Sequence, residues 1–239
     1  MARAALKELV CDSSSIIALA EVCLLELFSE FTKSGVKFYI PIGVRKEVID
    51  TPISTKSFRL EAVRISSLAE RGDLSVIDKE EIAGKAREIG GRVMALANGI
   101  FHAEGRPIHL IDYGEADAIG LALAIGCGTI LVDEKTTRLL IEAPLTLHES
   151  LEMRTGKKIG ISKENLSELS AALSSLSAIR SAELVAVGFT NGALKKVCCN
   201  ERGHDLLFGA LIAVKENGCS ISEAEIGEYV ELLAPRGGG

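Results

Sequence analysis

The pattern of apolar and polar positions alternates between two periods along most of the chain. A short apolar segment over residues 8–11 stops at Asp12, and Ser13, Ser14 and Ser15 then open an apolar-periodic stretch from Ile16 to Phe31. This predicts a strand, a turn and a helix. A second strand is expected at VKFYI, residues 36–40, followed by a short helix over GVRKEVID that carries Glu47 and ends at Pro52. Phe58, Leu60, Val63, Ile65 and Leu68 fit a helix over 57–70, DLSVID at 73–78 has strand composition, and 79–100 reads as a helix softened by Gly90 and Gly91. HAEGRP reads as a loop.

The unit from 111 to 141 is the most informative. Ala118, Leu121, Ala122 and Ile125 recur at helical spacing, Gly126 and Gly128 supply a stop, TILV at 129–132 is a buried strand, and a helix begins near Lys135. Such alternation favours a mostly parallel sheet covered by helices on both faces. Past Pro144, LTLH is a candidate last strand and RTGKKIG a basic loop. A helix from Ser162 to about Ser177, a strand at LVAVGF (184–189) and helices near 204–217 and 222–233 complete the pattern. The expected organisation is a core domain over 1–155 and an α-rich extension or small domain over 156–239. No repeat of solenoid spacing occurs.

Composition narrows the class. The chain has 239 residues, nearly half of them hydrophobic and a quarter charged, with five prolines, so a sizeable packed core is expected. No apolar run reaches the roughly 18 residues needed to cross a bilayer, and MARAALKELVCDSS lacks the pattern of a signal peptide; a cytoplasmic protein without a membrane partner is expected. The six cysteines contain no CxxC pair, and the adjacent Cys198 and Cys199 are poor tetrahedral chelators. The four histidines form no HExxH or triad pattern. A net charge of -6 disfavours broad nonspecific binding to nucleic acid, although cations held by clustered acids restore attraction for phosphate locally.

The acids carry the candidate chemistry. Asp12 ends the first strand, Asp133 and Glu134 end TILV, Glu115 and Asp117 lie in the first turn of a helix, and Glu47 follows the second strand. Open α/β sheets place ligand sites at such strand ends. Two unit charges about 4 Å apart repel by roughly 4 kcal/mol at an effective dielectric near 20, so four converging acids imply a cation. Mg²⁺ or Mn²⁺ suits carboxylate and water ligands and can activate water for attack on a phosphodiester. Each acid also has a plain structural reading. Asp12 is a good N-cap, Glu47 a solvated helix residue, Asp112 with Glu115 a capping box, and Asp133 or Glu134 a cap for the helix at Lys135. Helical geometry alone does not choose between Glu115 and Asp117.

Taken together, DSS at 12–14, VRKEVID, GEADAIGLALAIG and TILVDEKTTR resemble, in order and spacing across about residues 8–148, the PIN-domain family, in its prokaryotic and archaeal branch that includes the VapC-type toxins. The resemblance implies a three-layer α/β/α nuclease domain that cuts RNA with Mg²⁺ or Mn²⁺. It assigns catalytic roles to Asp12, Glu47, Asp117 and Asp133, adds Glu115 and Glu134 as metal ligands, and makes Ser14 a supporting hydroxyl. Two departures stand out: the segment between Glu47 and Glu115 is long, and some 90 residues follow the core. VDE also lacks the Thr often found before the last acid, which leaves Asp133 against Glu134 open. Lys56, Arg59, Lys135 and Arg138 are candidates to guide phosphate, against the reading of each as a solvated charge. The expected partners are an RNA substrate, a second copy of the chain, or an antitoxin-like or regulatory protein. The alternative function is a noncatalytic PIN fold that binds RNA or protein. The paired C-terminal helices carry Glu223, Glu225 and Glu228, which disfavours a DNA-reading helix-turn-helix.

Overall fold

A computed structural model describes residues 7–55, 57–198 and 203–234. The first half runs β1 (Glu8–Cys11), α1 (Ser13–Glu21), α2 (Glu26–Lys33), β2 (Lys37–Pro41), α3 (Ile42–Arg45), a π-helical turn over Lys46–Asp50, α4 (Thr51–Ser54), α5 (Arg59–Arg71), β3 (Ser75–Ile77) and α6 (Glu80–Ala97). A hairpin of β4 (Phe101–Ala103) and β5 (Arg106–Pro107) leads to α7 (Tyr113–Ile125), β6 (Thr129–Leu131), α8 (Lys135–Glu142) and α9 (Pro144–Thr155). The last third contains β7 (Ile159–Ile161), α10 (Lys163–Leu173), β8 (Ser177–Ile179), α11 (Ser181–Thr190), α12 (Ala193–Cys198), α13 (Gly203–Glu216) and α14 (Glu223–Leu233).

Five strands form one parallel sheet in the order β3-β2-β1-β6-β8. Alternation along each strand feeds two cores. Leu9, Cys11, Phe38, Ile40 and Leu131 enter one, together with residues of α1, α2, α5, α11, α13 and α14. Val10, Ile130 and Val132 enter the other, with residues of α6, α7, α8, α9 and α10. Period-two alternation with both sets buried is the pattern of a sheet covered on both faces. The α/β fold with a central parallel sheet is therefore as the sequence predicts. No helix among the described residues is long and apolar enough to cross a membrane.

Several elements differ from expectation. LVAVGF is helical within α11, where Ala182, Leu184, Val185, Ala186 and Gly188 are buried and Val187 is exposed, so burial on nearly every side hides the helical period. LTLH belongs to α9, with Pro144 in its first turn, and Pro52 likewise begins α4 instead of ending the segment before it. The stretch from Ile16 to Phe31 is two helices, broken where Cys23 takes a positive φ of 61°. Gly90 and Gly91 leave α6 continuous. The expected loop at HAEGRP is a hairpin turned at Glu104 and Gly105, and β4 pairs with β7 in a second, antiparallel sheet.

The division expected after residue 155 does not coincide with a break in the structure. β8 pairs with β6 as an edge of the central sheet, and Leu184, Leu207 and Leu211 share a core with Leu9 and Phe28. Arg180, 5% exposed, binds Glu183 at 2.5 Å, Glu225 at 3.0 Å and the Ser220 carbonyl at 2.7 Å. That guanidinium fastens the start of α14 to the start of α11.

Candidate metal centre

The sheet order reverses direction between β1 and β6, and the carboxyl ends of these two strands are where an open parallel sheet opens a crevice. Asp12 stands at that point, 2% exposed, and caps α1. Its Oδ2 accepts from the Ser14 amide at 3.1 Å and the Ser14 hydroxyl at 2.6 Å. Its Oδ1 is buried and makes no hydrogen bond among the described residues. Burial pushes the Asp12 carboxyl above its ordinary range; the Ser14 bonds offset part of this, and the negative charge of Glu47 adds to it. The Ser14 hydroxyl also accepts from the Asp133 amide at 3.1 Å, so one side chain ties the two strand ends together.

Glu47 is exposed on the π-helical turn after β2. A Cβ added at Gly114 would come within 3.3 Å of Glu47 Oε2, so this carboxylate reaches the first turn of α7. Glu115 sits on that turn, half-buried, and its Oε2 accepts from the Asp112 amide at 3.0 Å. Burial raises the Glu115 carboxyl, and the Asp12 charge raises it further. Asp12 is thus coupled electrostatically to Glu47 on one side and to Glu115 on the other. Each of these repulsions raises the cost of ionising the carboxyl on which it acts.

Asp117 points elsewhere, as positions two apart on a helix must. Its Oδ2 accepts from the Gly43 amide at 3.2 Å, an approach close enough that a Cβ on residue 43 would lie 2.5 Å from the oxygen. Burial raises its carboxyl, while the Gly43 amide and Arg87 pull it down. Asp133, fully buried, spends Oδ1 on the Ser181 amide at 2.7 Å, which anchors the start of α11. Its charge, after burial itself, helps push the Cys219 thiol up to about 12. Glu134 caps α8 through the Thr137 amide at 2.6 Å. The structural roles weighed from sequence are thus realised for Asp12, Glu115 and Glu134, while Asp133 caps α11 and not α8.

Among the described residues, no three His, Cys, Asp or Glu side chains stand close enough together to form a ready-made metal site. The donor set on this edge is nonetheless all hard oxygen, and Asp12 Oδ1 and Asp133 Oδ2 are buried acceptors without a hydrogen-bond partner among the described residues, open to a cation, a proton or a water. Of the candidate phosphate guides, Lys135 and Arg59 are exposed, Arg138 pairs with Glu142 at 3.4 Å, and Lys56 lies outside the described residues. Sequence reasoning missed Tyr113, Arg87 and Gly43, which with Asp117 line a cleft between the end of β2, α6 and α7. Only the aromatic residue two positions before Glu115 offered a signal.

Comparison with known proteins leaves the family open: no protein-family model matches the chain, and neither the curated proteins nor the solved structures return a match. The fold and the edge define an α/β protein with an acidic strand-end centre.

Proposed function

We propose that the chain is a Mg²⁺- or Mn²⁺-dependent endoribonuclease of the PIN type, with Asp12, Glu47 and Glu115 as the principal cation ligands and Glu134 as a further acid at the end of the adjacent strand. The observation that carries this reading is the buried, unpartnered Asp12 Oδ1 at the switch point of the sheet, beside acids whose charges oppose its own. Support also comes from the order of the four acidic segments along the chain, which resembles the PIN pattern. A bound cation supplies Lewis-acid activation of water and stabilises charge on the phosphodiester. The chain's own part is positional. Ser14 fixes the orientation of Asp12 and the adjacent backbone of Asp133, and the capping bond to Asp112 restrains one oxygen of Glu115 while leaving the other to turn.

The test is cleavage of single-stranded RNA with Mn²⁺, alongside Mn²⁺ titration by calorimetry. Asp12→Asn and Glu115→Gln are each expected to lower the rate at least a hundredfold while preserving the fold. Unchanged cleavage in both variants would sink the assignment. A wild-type chain that neither takes up Mn²⁺ nor cuts RNA is instead a noncatalytic binding module, a reading favoured by the caps that already occupy one oxygen of Asp12, Glu115 and Glu134.

A further inference from the structure

A cleft of about 280 Å³ opens between the end of β2, α6 and α7. Its walls include Pro41, Gly43, Arg87, Tyr113, Asp117 and Leu121. The lining is mainly apolar with a few polar groups, the composition of a small-molecule subsite, and its size falls just below the roughly 300–1,000 Å³ that holds larger ligands. It suits a single planar ring system. Tyr113 is 73% exposed at the cleft, so its ring is open to a stacking partner. Asp117 spends Oδ2 on the Gly43 amide, and Oδ1 is not among the buried atoms. Tyr113 and Asp117 stand one turn apart on one side of α7 and Glu115 on the other, so the cleft and the proposed cation centre flank the same first turn of that helix, where Glu47 reaches Gly114.

We infer that this cleft is a base-binding subsite of the substrate strand and that it selects guanine. The inference rests on the reading of the neighbouring acids as an RNA-cleaving centre. Single-stranded RNA is recognised by stacking splayed bases on aromatic side chains and by hydrogen bonds to their edges, and Tyr113 supplies the platform. The choice of base follows from Asp117. An ionised carboxylate only accepts hydrogen bonds. Guanine presents two adjacent donors, the N1–H and the N2 amino group. Adenine and cytosine set each amino group beside a ring nitrogen that repels a carboxylate, and uracil offers one N–H between two carbonyls. Gly43 is part of the device, because any side chain there would displace the Asp117 carboxylate. Arg87 stands in the same wall ion-paired with Glu80 at 2.5 Å, so the pair adds no net charge there.

The subsite is tested without catalysis by titrating GMP, AMP, CMP and UMP into the full chain in the presence of a chelator, with NMR shifts as readout. GMP is expected to bind at least tenfold tighter than the other three. Asp117→Asn removes that selectivity, and Tyr113→Ala, a change at an exposed position, weakens all four by tenfold or more. A wild-type chain that binds the four alike, or binds none, overturns the subsite. The second arm maps cut sites on an RNA containing all four bases. Cuts clustered beside guanine in the wild type and scattered in Asp117→Asn uphold it, whereas cuts without base preference overturn it and leave the nuclease proposal standing. Selective GMP binding in a chain that cuts no RNA upholds the subsite and removes the nuclease proposal alone.

Discussion

At the scale of single residues, Asp12 concentrates the energetics of the candidate centre. Its carboxyl is raised by burial, only partly offset by Ser14, and further raised by Glu47. The folded chain therefore holds the Asp12 proton more tightly than the unfolded chain does. Its contribution to stability is fully present below the ordinary Asp value near 3.8 and is lost as pH rises through the raised folded value. Above the ordinary Asp range and without cations, folding therefore carries a cost at this carboxyl. Asn keeps the N-cap and removes the charge, so Asp12→Asn is expected to melt higher than the wild type at pH 7 in chelator, by about 2–4 °C per kcal/mol recovered. On the proposed reading, Mn²⁺ is expected to reverse the order. At a hundredfold excess over its dissociation constant a cation stabilises the wild type by about 2.7 kcal/mol, and the variant gains little. Thermal melts with and without Mn²⁺ measure both effects, and a wild type indifferent to Mn²⁺ would remove the cation from this site.

At the scale of elements, the packing of α6 on α7 positions Glu115 and the cleft, and glycines set how close the two helices come. A Cβ at Gly120 would lie 2.2 Å from the Ala86 carbonyl and 2.7 Å from the Gly90 amide, and a Cβ at Gly90 would lie 2.5 Å from the Ala116 carbonyl. These are backbone atoms, so no side-chain rotation relieves the overlap. Gly120→Ala is expected to destabilise by about 3 kcal/mol, near the upper end of overpacking costs. Gly91, one position from Gly90 but with nothing within 4 Å of an added Cβ, is the control. Gly91→Ala is expected to stabilise by up to about 1 kcal/mol through helix propensity. Urea unfolding of the two variants decides the matter; equal effects would mean that close helix contact is not what the glycines serve.

The same pair of helices marks how far the sequence could be read. Periodicity located α6 and α7, and strand-end acids located Asp12 and the end of β6, because these signals are local. Gly90 and Gly91 read as a softening, since a glycine admitted for a neighbouring backbone looks like one that weakens a helix until the neighbour is known. Glu115 and Asp117 were inseparable for the same reason. Their divergence is set by what lies across from α7, with the Asp12 charge on one side and Gly43 and Arg87 on the other. LVAVGF was misread because α11 is buried on nearly all sides.

At the scale of the whole molecule, the C-terminal third is part of the same folding unit as the candidate centre. β8 completes the central sheet beside β6, and the Val132 amide donates to the Ile179 carbonyl at 2.8 Å. Asp133, next along, gives its side chain to the Ser181 amide and its carbonyl to the Ser220 amide. The strand end that carries Asp133 and Glu134 is therefore held in place by residues 177–220. A chain ending at residue 155 would leave Asp133 buried against nothing and expose the face of the core that holds Leu9, Phe28 and Leu131. Each large apolar side chain stripped of its neighbours costs about 2–5 kcal/mol, and a domain's whole stability is only about 5–15 kcal/mol. Residues 1–155 alone are expected to lack a cooperative thermal transition by circular dichroism, and to lack the proposed RNA cleavage because the sheet edge no longer forms. A truncated chain that melts cooperatively near the full-length temperature would instead make the C-terminal third a separable appendage, and would return the acids of β1, α7 and β6 to a self-sufficient core.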